Sequence, residues 1–339
     1  MTTGRSPGGR VLVTGAAGFI GAALSQALLA AGHRVLGIDN LTPYYNPALK
    51  QARLDRLLAS PGFTFCEVDI AAPGALMEAW SGFRPDAAVH LAAQAGVRWS
   101  LSHPHAYTHA NVEGTLCVLE AARKNPVAHL LYASSSSVYG GNDKVPFAET
   151  HPVERPVSLY AATKRSCELM ARTYAHLYGV ASTGLRFFTV YGRWGRPDMA
   201  YWLFTDAILA GRPIEVFNHG RMARDMTHVD DIVGGIVRLL PLAPVAGAPG
   251  PGQPDGSVPH RVLNLGGDRP ESLGDLIAAI ETACGRPAER VFKGMQPGDV
   301  ERTWADMSAL RDLVGWSPGI RMADGVADFV EWYRGWNKG

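Results

Sequence analysis

Three side chains in the middle of the chain have the types and spacing to draw a proton from an alcohol. Ser135 lies in the run Ser134-Ser135-Ser136-Ser137-Val138-Tyr139, and Tyr160 precedes Lys164 by four residues in Tyr160-Ala161-Ala162-Thr163-Lys164. On a helix such a pair shares one face. A free phenol ionises at about pH 10 and is a poor base at neutrality, but a neighbouring ammonium favours its anion. A serine hydroxyl can hold the substrate alcohol against the phenolate oxygen. Such a trio deprotonates an alcohol while a hydride leaves the same carbon, provided that an acceptor is bound nearby. Spacing alone does not decide the matter, because most i,i+4 Tyr/Lys pairs are solvated helix faces.

The acceptor site is written nearer the start. Val11–Thr14 reads as a short strand that runs into Gly15-Ala16-Ala17-Gly18-Phe19-Ile20-Gly21, and a helix pattern continues from Phe19 to Ala31, stopping at Gly32. Glycines between a strand and a helix let backbone N–H groups approach a pyrophosphate at the helix N-terminus. The spacing is G-x-x-G-x-x-G, not the G-x-G-x-x-G of the usual fingerprint. Asp39 closes a second strand, Arg34–Ile38. An acid there accepts hydrogen bonds from the adenosine ribose and repels a 2′-phosphate, which favours NAD over NADP. Further strands are expected at Phe63–Val68, Ala87–Leu91, His129–Ala133 and Ala181–Phe188, with helices at Ala110–Lys124 and Tyr160–Tyr178. This alternation predicts an α/β fold with a Rossmann-type doubly wound parallel sheet. Asp69 and Ile70, after the third strand, are placed to flank an adenine. Leu91, Ala92, Ala93 and Gln94, after the fourth, are placed to line the pyrophosphate crevice. Lys164 would also reach the nicotinamide ribose.

Past Phe188 the pattern changes to short strands and helices among Gly and Pro turns, with a strand expected at Arg261–Leu265 and helices at Leu273–Cys284 and Met322–Gly335. The expected organisation is a dinucleotide domain over 1–188, to which 227–266 returns, and a smaller, mixed α/β C-terminal substrate lobe from 189–226 and 267–339. The Pro/Gly-rich stretch 242–260 reads as a flexible loop.

The 339 residues, 47% hydrophobic and 19% charged, suit one large or two closely joined globular lobes. A net charge of +1 gives no reason to expect nucleic acid or a membrane surface as partner. The polar start reads as neither a signal peptide nor a spanning helix, and no run approaches the ~20 apolar residues of a bilayer crossing. Cys66, Cys117, Cys167 and Cys284 are scattered, as expected of reduced thiols in a cytoplasmic protein. His103, His105 and His109 cluster, but Pro104 interrupts them and no cysteine or close carboxylate completes a metal site, so a surface loop is expected.

These motifs, in this order, resemble the extended short-chain dehydrogenase/reductase family, and within it the UDP-glucuronate 4-epimerases. The resemblance spans nearly the whole chain after the N-terminal tail. It is carried by Val13–Gly21, Gly37–Leu41 with Tyr44-Tyr45, His90–Arg98, Ser134–Gly140, Tyr160–Lys164, Leu185–Gly192, Gly195–Met199, Arg224-Asp225 with Val229–Asp231, and Met295–Asp299. It implies a tightly held NAD that is not consumed, with Ser135, Tyr160 and Lys164 catalytic. It adds Asn40, Asn111, Ser134, Phe187 and Val190 to the cofactor site. The C4 hydroxyl is oxidised, the 4-keto sugar turns over, and hydride returns to its other face.

The serine run bears on which sugar is used. Related 4,6-dehydratases carry Asp-Glu where Ser136 and Ser137 stand, and related decarboxylases commonly carry Glu at Ser137. Without those acids, Ser136, Ser137 and Thr189 can donate hydrogen bonds to a sugar carboxylate. Arg196 can add a charge-assisted contact, or instead pair with Asp198. For the nucleotide, the resemblance implicates Arg224 at the pyrophosphate, Phe217 and Glu215 with backbone of Met199 and Ala200 at the uracil, and Asp299 at the uridine ribose. Arg98 is a further candidate for neutralising the substrate's roughly three negative charges. The chain departs from the family pattern at Arg193, Met226, His228 and Gly294. Two other epimerase substrates stay open at this point, the neutral UDP-glucose/UDP-galactose pair and UDP-N-acetylhexosaminuronate. So does a net NAD-dependent dehydrogenase. Relatives pair through two long helices, which here implies a homodimer through Ala110–Lys124 and Ala161–Tyr178.

Overall fold

In the computed structural model, residues 8–253, 255–295 and 301–337 are described. Among these residues, seven strands form one sheet. From edge to edge they run His260–Leu265, Ser182–Phe187, Leu130–Ser135, Ala87–His90, Arg10–Thr14, Arg34–Asp39 and Phe63–Glu67, each neighbouring pair parallel. The order reverses beside Arg10–Thr14, the first strand in sequence. In such sheets the crevice beyond the strand ends at that point receives the ligand. Strand Ala87–His90 is buried along its whole length and Arg10–Thr14 along all but its first residue, as expected of parallel strands covered on both faces. Val11 and Val13 pack into one core cluster and Leu12 into another.

Two covering helices, Pro47–Leu58 and Pro73–Phe83, are not singled out by the sequence pattern. Both begin with proline in the first turn, where its missing N–H goes unused anyway. The same rule corrects the loop expected around the histidines. Pro104 opens a short helix, Pro104–Tyr107, that continues through a π-helical turn, Thr108–Glu113, into Gly114–Lys124.

A smaller layer is built on the strand Ala223–His228, which pairs with Thr189–Tyr191, Pro270–Ser272 and Arg302–Thr303. Helices Ala200–Leu209, Leu273–Cys284 and Met322–Trp336 give it a separate core around Tyr201, Ile280 and Phe329. Helix Val229–Leu239 packs back on helix Phe19–Ala30, and His260–Leu265 supplies the large sheet's edge strand. The described residues of the stretch 242–260 contain no helix, yet they are tied down: buried Gln253 donates to the carbonyls of Val245 and Val258. Among the described residues, no helix is long and apolar enough to cross a membrane.

Candidate active site

The glycine loop folds back on itself. Gly15 has φ +73°, and a Cβ there would stand 2.7 Å from the Ala92 nitrogen; one on Gly21 would stand 2.0 Å from the Gly15 carbonyl oxygen. Only glycine fits either place. Helix Phe19–Ala30 has Gly18 as its N-cap, with no side-chain cap, so its first N–H groups are left for a ligand. The Asp39 carboxylate is already oriented by backbone: it accepts from the N–H of Ala17 at 3.1 Å and of Leu41 at 2.9 Å. The Lys50 ammonium lies 3.4 Å from the same carboxylate, both side chains being buried.

The Tyr160–Lys164 pair sits at the start of helix Leu159–Tyr178. Ser158 caps that helix by accepting from the Ala161 N–H at 3.1 Å, and Gly179 ends it in the left-handed region. Lys164 is buried, and its ammonium donates to the Ala133 carbonyl at 2.9 Å, which fixes the helix against the strand carrying Ser135. The Tyr160 ring is braced edge-on by Tyr107, at 6.0 Å between ring centres. Ser135 ends strand Leu130–Ser135, and its hydroxyl oxygen accepts from the Ser137 N–H at 3.1 Å. That bond leaves the hydroxyl hydrogen free to be donated, and accepting an N–H polarises it for the purpose.

Behind the serine run lies a buried ion pair that no local sequence pattern signals. Arg186 is bidentate to Glu168 at 2.9 and 3.0 Å, and the Ser134 hydroxyl donates to Glu168 at 2.6 Å. Burial works to raise the Glu168 carboxyl, but Arg186, Ser134 and Arg165 outweigh it and hold the group below its usual range. On the far side, His90 is fully enclosed, and burial with the nearby Lys164 charge pushes it down to about 3. It is therefore a neutral imidazole, in contact with Thr14 at 2.7 Å and Thr115 at 3.1 Å.

The glycine loop, Asp39, Lys50, Ser135, Tyr160 and Lys164 line one cavity of about 600 Å³. Of the expected cofactor residues, Gly15, Gly18, Phe19, Ile20, Gly21, Asp39, Asn40, Asp69, Ile70, Leu91, Ala92, Ala93, Gln94, Ser134, Tyr160, Lys164, Phe187 and Val190 line it. Ala17 stands behind, holding Asp39. Asn111 is buried away from the cavity surface. Its amide is spent on Gln94, at 2.8 and 3.1 Å, and on Thr163 at 3.0 Å, so it braces the wall.

Of the expected substrate residues, Ser135, Ser136, Ser137, Thr189, Arg196, Met199 and Arg224 line the same cavity. Ala200, Glu215, Phe217 and Arg98 do not. Ala200 is exposed at the start of its helix. Glu215 is exposed and 3.4 Å from Lys293, while the Arg98 guanidinium lies over the Phe217 ring at 5.5 Å. Asp299 falls outside the described residues. Arg196 makes the pair with Asp198, at 3.0 and 2.5 Å, while still facing the cavity. Tyr44 donates to the same Asp198 at 3.0 Å; burial first and the Asp198 charge second push this phenol up to about 12. Arg193 and His228, both departures from the family pattern, meet around Asp230 and Asp328. Lys50, Glu168 and Asp198 as a partner of Tyr44 carry no sequence signal of their roles. They act on other site residues rather than on the reacting atoms.

A doubly wound parallel sheet, a dinucleotide loop at its switch point and a Ser/Tyr/Lys trio in the same crevice define a nicotinamide-dependent enzyme acting on an alcohol carbon. Residues 11–248 match the NAD dependent epimerase/dehydratase family, and the chain belongs to that family. It is 47% identical over 329 residues to a probable UDP-glucuronate 4-epimerase of Rhizobium meliloti (strain 1021), covering 96% of each chain. UDP-glucuronate 4-epimerase 3 of Arabidopsis thaliana is 44% identical over 97% of this chain and 77% of its own length. Among solved structures, a UDP-glucuronic acid 4-epimerase from Bacillus cereus, in complex with UDP-glucuronic acid and NAD, superposes with a TM-score of 0.86. That chain is 32% identical, with 96% of this chain and 99% of that one covered.

Proposed function

We propose that this protein interconverts UDP-glucuronate and UDP-galacturonate through a 4-keto sugar. The observation that carries the reading is the make-up of one cavity: Ser135, Tyr160 and Lys164 line it together with Ser136, Ser137 and Arg196. The glycine loop, the uncapped helix N-terminus and the Asp39 carboxylate fit the pyrophosphate and adenosine ribose of NAD. When bound, NAD supplies a reversible hydride acceptor for C4 of the sugar.

The chain's own residues do the rest. Ser135 donates its hydroxyl hydrogen to the C4 oxygen and holds it against Tyr160. Tyr160 takes the C4 hydroxyl proton as the carbonyl forms and gives it back when the carbonyl is reduced. The Lys164 ammonium stabilises negative charge on the phenol oxygen between those steps. Once C4 is a ketone, the sugar acid is a β-keto acid, prone to break its C5–C6 bond and lose CO₂. Ser136, Ser137 and Thr189 donate to the carboxylate and, with Arg196, hold it away from the geometry for cleavage. Neither Ser136 nor Ser137 is an acid, so neither repels it.

The working form is a homodimer. Leu116 on helix Gly114–Lys124 and Leu169, Leu177 and Tyr178 on helix Leu159–Tyr178 are exposed large apolar side chains, suited to a second copy. It acts in the cytoplasm, and its product serves polysaccharide synthesis. The test is NMR of the products after incubation with UDP-glucuronate and no added cofactor. UDP-galacturonate should appear without a lasting NADH absorbance. Strict dependence on added NAD with stoichiometric NADH would contradict the reading.

A further inference from the structure

We infer that Arg53 is a positioning residue that fixes the segment carrying Arg196 to the dinucleotide loop, so that the sugar carboxylate is held in register with the cofactor. This rests on the function proposed above. Arg53 lies on helix Pro47–Leu58 and is 1% exposed. It does not line the cavity, and its hydrogen bonds among the described residues go to no carboxylate.

Its donors are spent on carbonyls and one hydroxyl. Nε and Nη2 donate to the Trp194 carbonyl at 2.9 and 2.5 Å, and Nη2 also donates to the Gly195 carbonyl at 2.8 Å. Nη1 donates to the Ala17 carbonyl at 3.2 Å and the Tyr45 hydroxyl at 2.6 Å. A guanidinium taken out of water needs its donors met, and here two distant loops meet them.

Each loop is part of the site. Ala17 sits in the glycine loop, and its N–H holds Asp39. Trp194 and Gly195 directly precede Arg196, in a segment that is neither helix nor strand. Trp194 is left-handed, at φ +59°, a conformation that costs a non-glycine residue energy and therefore needs an external hold. Arg53 supplies that hold on its carbonyl, and the Arg56 guanidinium covers its ring at 4.7 Å. One turn earlier on the same helix, Lys50 reaches Asp39. The helix thus touches the cofactor acid, the cofactor loop and the stem of the carboxylate-binding arginine. No lysine could span these acceptors, because only the planar fork presents five donors.

The test uses Arg53→Met and Arg53→Lys in the full-length protein. With NAD⁺ added in excess to replace the NADH that each aborted turnover leaves behind, it reads the share of turnovers ending in UDP-4-keto-pentose, CO₂ and NADH, the KM for UDP-glucuronate, and inhibition by UDP. Product share is a ratio per turnover, so loss of folded enzyme does not move it. Both variants should raise the keto-pentose share and the KM by about ten-fold, the scale of one lost charge-assisted contact, with UDP inhibition unchanged. Should Arg53→Met not fold, Arg53→Lys carries the same expectation. A lowered thermal midpoint with wild-type product share and KM would show a purely structural arginine and overturn the inference. Wild-type protein that leaves UDP-glucuronate untouched would overturn the functional reading, and the inference with it.

Discussion

Acid should destabilise this protein earlier than its carboxylates alone would cause. Three histidines are held neutral in the interior. Burial lowers His129 and His260 from 6.5 to about 4, and His90 to about 3. His129 links the Leu240 carbonyl, at 3.1 Å, to the Thr183 hydroxyl, at 2.7 Å, and Arg261 donates to that same hydroxyl. A proton added to His129 would place a second buried cation beside Arg261. His260 meets the Tyr132 hydroxyl at 2.9 Å. With the folded values depressed, the unfolded chain binds these protons first. Stability is therefore full above about pH 6.5 and falls as the pH drops from there toward the folded values. From about pH 7.5 to about pH 5, each histidine removes about 2 kcal/mol, or roughly 6 kcal/mol for the three. That rivals the ~5–15 kcal/mol stability of a typical domain. Asp225 and Glu149 oppose the trend, because burial raises both and the folded state takes their protons more readily. The assay is urea unfolding by tryptophan fluorescence at steps across this window. His129→Asn and His260→Asn should each flatten the dependence by up to ~1.4 kcal/mol per pH unit. Stability that is level across the window in the wild type, or equal slopes in the variants, would refute the reasoning.

The remaining expectations concern the site. Glu168→Gln leaves Arg186 buried without its counter-charge, and should cost about 3–5 kcal/mol in chemical denaturation while loosening the serine run. Arg196→Ala should raise the share of turnovers ending in UDP-4-keto-pentose, CO₂ and NADH by roughly ten-fold or more in an NMR assay with NAD⁺ added, the scale of a charge-assisted hydrogen bond; unchanged partitioning would count against its role. Tyr160→Phe should lower kcat by about 10²–10⁴, the usual contribution of a positioned acid–base group, while the purified protein keeps its bound NAD.

The parts of this molecule legible in its sequence are those set by local rules. Val11–Thr14 into Gly15, and Asp39 at a strand end, announce the dinucleotide crevice because backbone geometry allows little else there. The Tyr160–Lys164 spacing places both residues on one helix face without tertiary information. Helix Pro47–Leu58 is hard to read because its buried face carries Lys50 and Arg53 among Leu49, Leu54 and Leu57, so it shows no apolar stripe. Those two cations are buried for partners 11 and 141 residues away, at Asp39 and Trp194. Separations of that kind leave no local pattern. The histidine segment misleads for a different reason: Pro104 looks like a breaker, whereas at a first turn it is a starter. Asn111 bonds to Gln94 and Thr163, 17 and 52 residues away, and separations of that length again leave no local pattern.

The hydride that leaves C4 must return to the same carbon from the other face if this account holds. UDP-glucuronate carrying deuterium at C4, incubated with the protein in ordinary water and no added cofactor, tests it directly. The account predicts UDP-galacturonate with the deuterium retained at C4. Product with hydrogen in its place, or deuterium recovered in free NADH, would contradict it.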